Sequence, residues 1–239
     1  MKRVQIVILI VLAGLMFQSC KKLIGEGPVV TETRTTANFS GIQLKTDGKL
    51  YYTEGSTYKV ELQSQQNILN EIETIMSGND LVIRFRHNNT NLKSGENILV
   101  KITAPVISKL EVHGSGNIES QAPFSPASLR LAVHGSGNIR VHNIATNFLD
   151  ADISGSGKIN LIEGVTENQS LEISGSGEMD FGNFIAKKTT AHISGSGNIK
   201  VNTAETLDVN ISGSGSVRYR GNPAVTSSVS GSGSVGKWW

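Results

Sequence analysis

The chain has 239 residues, room for one large domain or two small ones, yet it carries 26 glycines and only 5% aromatic residues. Fourteen of those 26 glycines lie in one recurring tripeptide, Gly-Ser-Gly, which points away from a compact enzyme with a bulky core and toward repetition. The formal charge is +2, and without Lys2 and Arg3 it becomes zero, so a generally basic nucleic-acid binder is disfavoured. A single cysteine excludes a disulfide framework and a cysteine-rich zinc site.

The chain opens like an export signal. Met1-Lys2-Arg3 is cationic, and Val4 to Phe17 is apolar apart from Gln5. The run is shorter than the ~20 apolar residues of a bilayer span and fits the core of a secretory leader. Ser19 before Cys20 resembles a bacterial lipobox, with Phe17 and Gln18 in place of the more usual Leu and small residue. That resemblance implies that Cys20 becomes the new N-terminus and carries acyl chains, each adding about 0.8 kcal/mol per buried methylene. The alternative is an ordinary signal peptide with an incidental free cysteine. Residues 1–19 are therefore expected as a signal peptide and 20–36 as a lipidated tether, polar and without periodicity.

Residues 37–108 alternate apolar and polar positions without a regular turn. Phe39 to Leu44, Lys49 to Tyr52, Tyr58 to Leu62, Leu81 to Phe85 and Ile98 to Thr103 predict strands. Ser77-Gly78-Asn79-Asp80 predicts a hairpin turn, and Asn67 to Glu71 one helical turn.

Residues 109–239 count in steps of about twenty. The tripeptides are Gly114-Ser115-Gly116, Gly135-Ser136-Gly137, Gly155-Ser156-Gly157, Gly175-Ser176-Gly177, Gly195-Ser196-Gly197, Gly213-Ser214-Gly215 and Gly231-Ser232-Gly233. Their spacings are 21, 20, 20, 20, 18 and 18. Apolar residues precede each at alternate positions, as in Leu131 and Val133 or Leu171 and Ile173, and another follows, as in Ile139 or Ile159. Alternation is the period of a strand, so each repeat is strand, glycine turn, strand and variable connection.

A meander would pair strands across each turn; a solenoid stacks each strand on its equivalent one repeat away. The near-constant turn favours the all-β solenoid, because a stacked column must turn at the same place in every rung. The serine hydroxyls would then be placed to bond along that column. The connections at Ala122 to Pro126 and Gly164 to Gln169 are expected to project outward.

Phe39-Ser40-Gly41-Ile42, Asn79-Asp80-Leu81-Val82-Ile83, Ile102-Thr103-Ala104-Pro105 and Leu110 to Ile118 together resemble the DUF2807 family, also called the putative auto-transporter adhesin head or GIN domain. The resemblance spans residues 37–236 and implies a right-handed parallel β-helix, exported lipoproteins of Bacteroidetes, and no catalytic residues. The last two repeats depart from it: spacing falls to 18, and Ser216 and Ser234 replace Asn. Among lipoproteins of that kind an acidic run after the cysteine marks surface export. Here Lys21, Lys22, Leu23 and Ile24 follow, which favours an outer-membrane anchor facing the periplasm.

Motifs for chemistry are weak. Gly231 to Gly236 matches a dinucleotide fingerprint, but only Lys237, Trp238 and Trp239 follow, so no helix is there to hold a pyrophosphate. No nucleophile elbow and no calcium nonapeptide repeat is present. Stacking would place Asp152, Glu172 and His192 in one outward column, with two carboxylates about 5 Å apart as in a retaining glycosidase. A solvated face with a like-charge contact relieved by His192 is the simpler reading. His113 and His134 would also stack, without a third metal ligand. Lys158 with Glu178 and Lys200 with Asp180 are expected ion pairs.

The expected function is therefore non-enzymatic, with no cofactor: a membrane-anchored envelope protein presenting a repetitive surface to a glycan or protein ligand. A polysaccharide-active enzyme using Asp152 and Glu172, and a purely structural spacer, are the alternatives. At the far end, Trp238 and Trp239 are placed to plug the open core near Val229 and Val235.

Overall fold

The computed structural model describes residues 21–87, 90–93 and 97–238. The leader, Cys20 and Trp239 lie outside the described residues. The first elements are β1 (Lys21–Leu23), β2 (Val29–Arg34), β3 (Gly41–Lys45), β4 (Lys49–Glu54), β5 (Lys59–Gln65) and a single helical turn, α1 (Gln66–Asn70). There follow β6 (Ile72–Ser77), β7 (Asp80–Phe85), β8 (Thr90–Leu92), β9 (Leu99–Ala104), β10 (Lys109–Gly114), β11 (Asn117–Ser120) and β12 (Ser128–Gly135). Four long bent strands come next: β13 (Asn138–Gly155), β14 (Lys158–Gly175), β15 (Glu178–Gly195) and β16 (Asn198–Gly213). The last turn holds β17 (Ser216–Arg220), β18 (Ala224–Gly231) and β19 (Ser234–Lys237).

The repeats form a parallel β-solenoid, not a meander. Ile139 pairs with Ile159, Ile159 with Met179 and Met179 with Ile199, each one rung on. On the facing leg Leu131, Ala151, Leu171, Ala191 and Val209 stack in register. All of these side chains are buried, so a continuous apolar core runs along the axis. A one-residue slip would turn every one of them outward, which is why the register holds over so many rungs.

One expectation is overturned within the rung. Gly164 to Gln169 does not project outward; it lies inside β14 and pairs with Ile144 to Leu149 below and Phe184 to Thr189 above. Each rung therefore has a third leg. Inward positions in β13 are Ile139, Val141, Ile144, Thr146, Leu149, Ala151 and Ile153. Steps of two run along a leg, and each step of three marks a corner. At the corner after Thr146 its hydroxyl lies 3.1 Å from the carbonyl of Phe148 and 3.2 Å from that of Ala127; Thr166 repeats the arrangement one rung later. These buried threonines brace the bend, each adding two side-chain hydrogen bonds to the carbonyls around it. The shorter 18-residue step is absorbed on this leg, by register shifts between Phe181 and Ile185 and between Ala186 and Lys188.

The N-terminal part begins the same solenoid and then closes it. β10 stacks on β3 and β3 on β7, while β11 stacks on β4 and β4 on β9, all parallel. Beyond them the pairing becomes antiparallel: β6 on β7 through the turn at Ser77–Asp80, and β5 on β9. Gly78 takes a φ of +60° in that turn, a left-handed conformation that costs glycine little. Residues 29–34, expected in the tether, instead form β2, paired antiparallel with β5. Their alternation is half-exposed, and its mostly polar residues hid it from the sequence pattern.

The other end is open. Every residue of β18 is exposed, Val225 and Val229 at 40% and 42%. Trp238 does not plug this core. Its backbone nitrogen donates to Tyr219 O at 3.0 Å, and its ring lies under the Arg220 guanidinium at 3.9 Å and against Gly182 on the outer wall.

Candidate binding surface

The Gly-Ser-Gly turns stack into one column at an edge of the rod. The Ser136 amide donates to Gly114 O at 2.9 Å, Ser156 to Gly135 O at 2.9 Å, and Ser196 to Gly175 O at 2.8 Å. The bonds along the column thus come from the backbone; among the described residues no turn hydroxyl bonds to the next. Gly155 shows why the residue type is required. Its φ is +131°, and a Cβ there would lie 2.4 Å from Gly135 O. The column is structural, and it sets the pitch of everything displayed beside it.

The leg before each turn presents a flat outer wall. Arg130, Asp150, Ser170, Thr190, Asp208 and Thr226 make one outward column, and Asp152, Glu172, His192, Asn210 and Ser228 a second. A third runs His134, Ser154, Ser174, Ser194, Ser212 and Ser230. Neighbours along a column are about 4.8 Å apart. The sequence pattern singled out the Asp152 column; the serine column follows from the same spacing.

Asp152 and Glu172 do pair across adjacent rungs, with His192 next in line. The nearest counter-charge is Arg130 rather than His192: it forms an ion pair with Asp150 and reaches Asp152 at 3.9 Å. Lys158 bonds Glu178 at 2.9 Å and Lys200 bonds Asp180 at 3.3 Å, as expected. The His113 and His134 rings stack with centroids 4.8 Å apart. No group of three His, Cys, Asp or Glu among the described residues could hold a metal.

Two open grooves flank the corner at Asn147. One, of about 570 Å³, is lined by Arg130, Phe148, Asp150, Asn168, Ser170 and Thr190. Phe148 is 59% exposed there, an apolar ring standing in a polar ladder between Ser128 and Asn168. The other, of about 580 Å³, contains the outward stack Ala145, Val165 and Ile185, with Val165 52% and Ile185 47% exposed. Sequence reasoning missed both, because it took the third leg for a loop. The signal was an apolar residue at outward phase, Phe148, in a column otherwise polar until Ala224.

No helix among the described residues is long and apolar enough to cross a membrane. No curated protein matches the chain in sequence. Among solved structures, the fold is similar to that of a putative adhesin from Bacteroides fragilis, at 23% identity and a TM-score of 0.85, covering 90% of this chain and 100% of that one. A putative lipid binding protein from Parabacteroides distasonis is similar at 23% identity and a TM-score of 0.76, covering 92% and 100%. A putative adhesin from Parabacteroides merdae follows at 22% identity and 0.73, with the same coverage. Residues 38–223 match the family described as the putative auto-transporter adhesin, head GIN domain. The stacked rungs, the glycine column and that match over most of the chain lead to one statement: the protein belongs to the DUF2807 family.

Proposed function

We propose that the protein is a lipid-anchored, non-enzymatic envelope protein of the adhesin type that binds an extended glycan along its outer wall. The observation that carries this is the groove at Phe148. An exposed ring offers an apolar platform for the C–H face of a sugar, while Arg130, Asp150, Asn168, Ser170 and Thr190 present hydrogen-bonding groups on successive rungs. A flat array repeated along the rod suits a repeating polymer better than a single small molecule. Asp152 and Glu172 sit on the open wall outside both corner grooves, a poor setting for a glycosidase pair, which needs a site that surrounds the scissile bond.

Binding to a panel of neutral and acidic oligosaccharides of increasing length tests the reading. Affinity is expected to grow with length and to fall on Phe148→Ala with the fold intact. Absence of binding to every glycan would leave the spacer role. New reducing ends that disappear with Glu172→Gln would establish an enzyme instead. Capture of acyl chains, lost on Val165→Ser, would favour the apolar groove at Val165 and Ile185 and a lipid ligand, as the name of the Parabacteroides distasonis relative suggests.

The anchor rests on Ser19-Cys20, and its orientation toward the periplasm on the basic residues that follow. Cys20→Ser is expected to abolish acylation and release the protein from membranes. Unchanged membrane fractionation would remove the anchor from the proposal. Release by protease from intact cells would place the protein on the surface.

A further inference from the structure

The chain that follows Cys20 is bound to the fold from its first described residue. Lys21 pairs with Thr90 in the short parallel ladder of β1 on β8. Leu23 is 7% exposed and packs into the core, and its carbonyl accepts from the Lys93 amide at 2.8 Å. Asn67, at the start of α1, fastens the next stretch. Its Nδ2 donates to Ile24 O at 2.7 Å, and its Oδ1 accepts from the Glu26 amide at 3.0 Å. Val29 then enters β2 opposite Gln65. The segment expected as a tether is thus tied to the capped end of the rod at β1, at α1 and along β2.

The outward side chains of this segment suit a bilayer surface. Strand alternation turns Lys22 away from the side on which Leu23 is buried, and Lys22 is exposed. Lys93, just past β8, is exposed as well. Ile24 and Val29 are 47% and 58% exposed, and both border the junction of β5 and α1, one through Asn67 and the other through Gln65. Glu26 is the one exposed carboxylate between them. Apolar side chains beside lysines match an interface that is hydrocarbon below and phosphate above.

Distance decides what the capped end touches. Acyl chains on Cys20 hold that residue at the hydrocarbon boundary, above which the polar layer is only about 5–7 Å deep. One residue spans about 3.8 Å, so Lys21 and its partner Thr90 lie in or directly against that layer. We propose that the capped end of the rod rests on the lipid headgroups of the membrane that holds Cys20, with Ile24 and Val29 in the interface, Lys22 and Lys93 toward phosphate, and the open end held away. This rests on the acylation of Cys20 proposed above and gives the anchored protein one orientation. Stacking from β3 to β18 at about 4.8 Å per rung sets the last rung roughly 34 Å farther out.

The test uses the full chain, purified from membranes and reconstituted into vesicles of phosphatidylcholine and phosphatidylglycerol. With Cys20 acylated the chain has no other thiol, so Lys22→Cys, Ile24→Cys, Val29→Cys and Ser228→Cys each take a single fluorophore. All four positions are exposed, so the fold is expected to be kept. Lipids with a nitroxide on the headgroup quench a dye that lies in the polar layer. Loss of emission is expected for the first three variants and none for Ser228→Cys. Mass spectrometry of the N-terminal peptide reads the acyl chains separately. An acylated chain whose first three labels stay bright overturns this inference and leaves the anchor in place. Equal quenching at all four positions means that the rod lies flat and overturns it as well. A peptide without acyl chains overturns the anchor and this inference together.

Discussion

The two ends of the rod are built from the same kind of stacked strand and finish in opposite ways. At the N-terminal end, β7 and β9 continue the parallel columns and are then covered by antiparallel β6 and β5, with β2 outside β5. At the C-terminal end, β18 continues the columns and nothing described covers it; all its residues are exposed. Repetition extends a solenoid core but has no way to end it, since each rung presents the same apolar edge it received. Closure requires a break in the repeat. Here the break is a reversal of strand direction, which a hairpin turn allows and a parallel stack does not.

Glycine substitutions separate the regions most sharply. Gly155→Val in the column must fit a branched side chain at a φ of +131° with its Cβ 2.4 Å from the backbone of the rung below. A loss of about 3 kcal/mol or more is expected, read as a fall in the denaturant midpoint. Gly78→Ala in the closing hairpin has a φ of +60° and open space around it, so only the left-handed backbone cost of about 1–2 kcal/mol applies. Equal losses at the two sites would erase the distinction between a packed column and a free turn.

Core truncation is expected to grade along the axis. Ile153→Ala removes a side chain 1% exposed in the middle of the rod and should cost about 2–5 kcal/mol. Val229→Ala, in the same inward column but 42% exposed on the last rung, should cost under about 1 kcal/mol. A large effect at Val229 in equilibrium unfolding would mean that the open end is covered in solution.

The smallest expected effect is on pH dependence, and it sharpens the N-terminal side of the comparison. The folded pKa of His113 lies below its ordinary value, through burial first and then Lys45 and His134. The unfolded chain then binds more protons than the folded one near and below pH 6.5. The contribution is fully present above that value and is lost as pH falls through the folded pKa. Melting temperature should decline slightly between pH 7 and pH 5, and His113→Gln should flatten the decline. A melting temperature that rises on acidification would contradict the burial of this ring.

Much of the repeat was legible in the chain. Ile139, Ile159, Met179 and Ile199 repeat at a fixed distance, and strand alternation with a fixed glycine turn leaves few ways to bury them. The turn at Ser77–Asp80 and the helical turn near Asn67 were also plain, because each is specified by residues next to one another. The third leg was not. Its inward positions hold Thr146, Thr166 and Gln169 as well as Ile144, and these polar side chains are buried with hydrogen bonds rather than excluded. Gln169 Nε2 donates to Thr189 Oγ1 at 2.8 Å, which in turn lies 2.6 Å from Thr203 Oγ1. A hydrophobic count takes such a leg for a loop. The grooves beside it, and Phe148 within one of them, were hidden with it.

The sequence by itself determined the period, the inward face of the legs beside each glycine turn, and the position of that turn, since all three rest on spacing along the chain. Only the tertiary structure decided how the rod ends and what its surface can hold. The closing strands pair residues such as Val29 with Gln65 and Val60 with Ile102, whose partners no local pattern names. The capped end brings the segment after Cys20 against Asn67 and Thr90, both far from it along the chain. Periodicity is a property of one strand and its neighbours in sequence. A cap or a surface is a property of strands that meet only after the chain has folded back on itself.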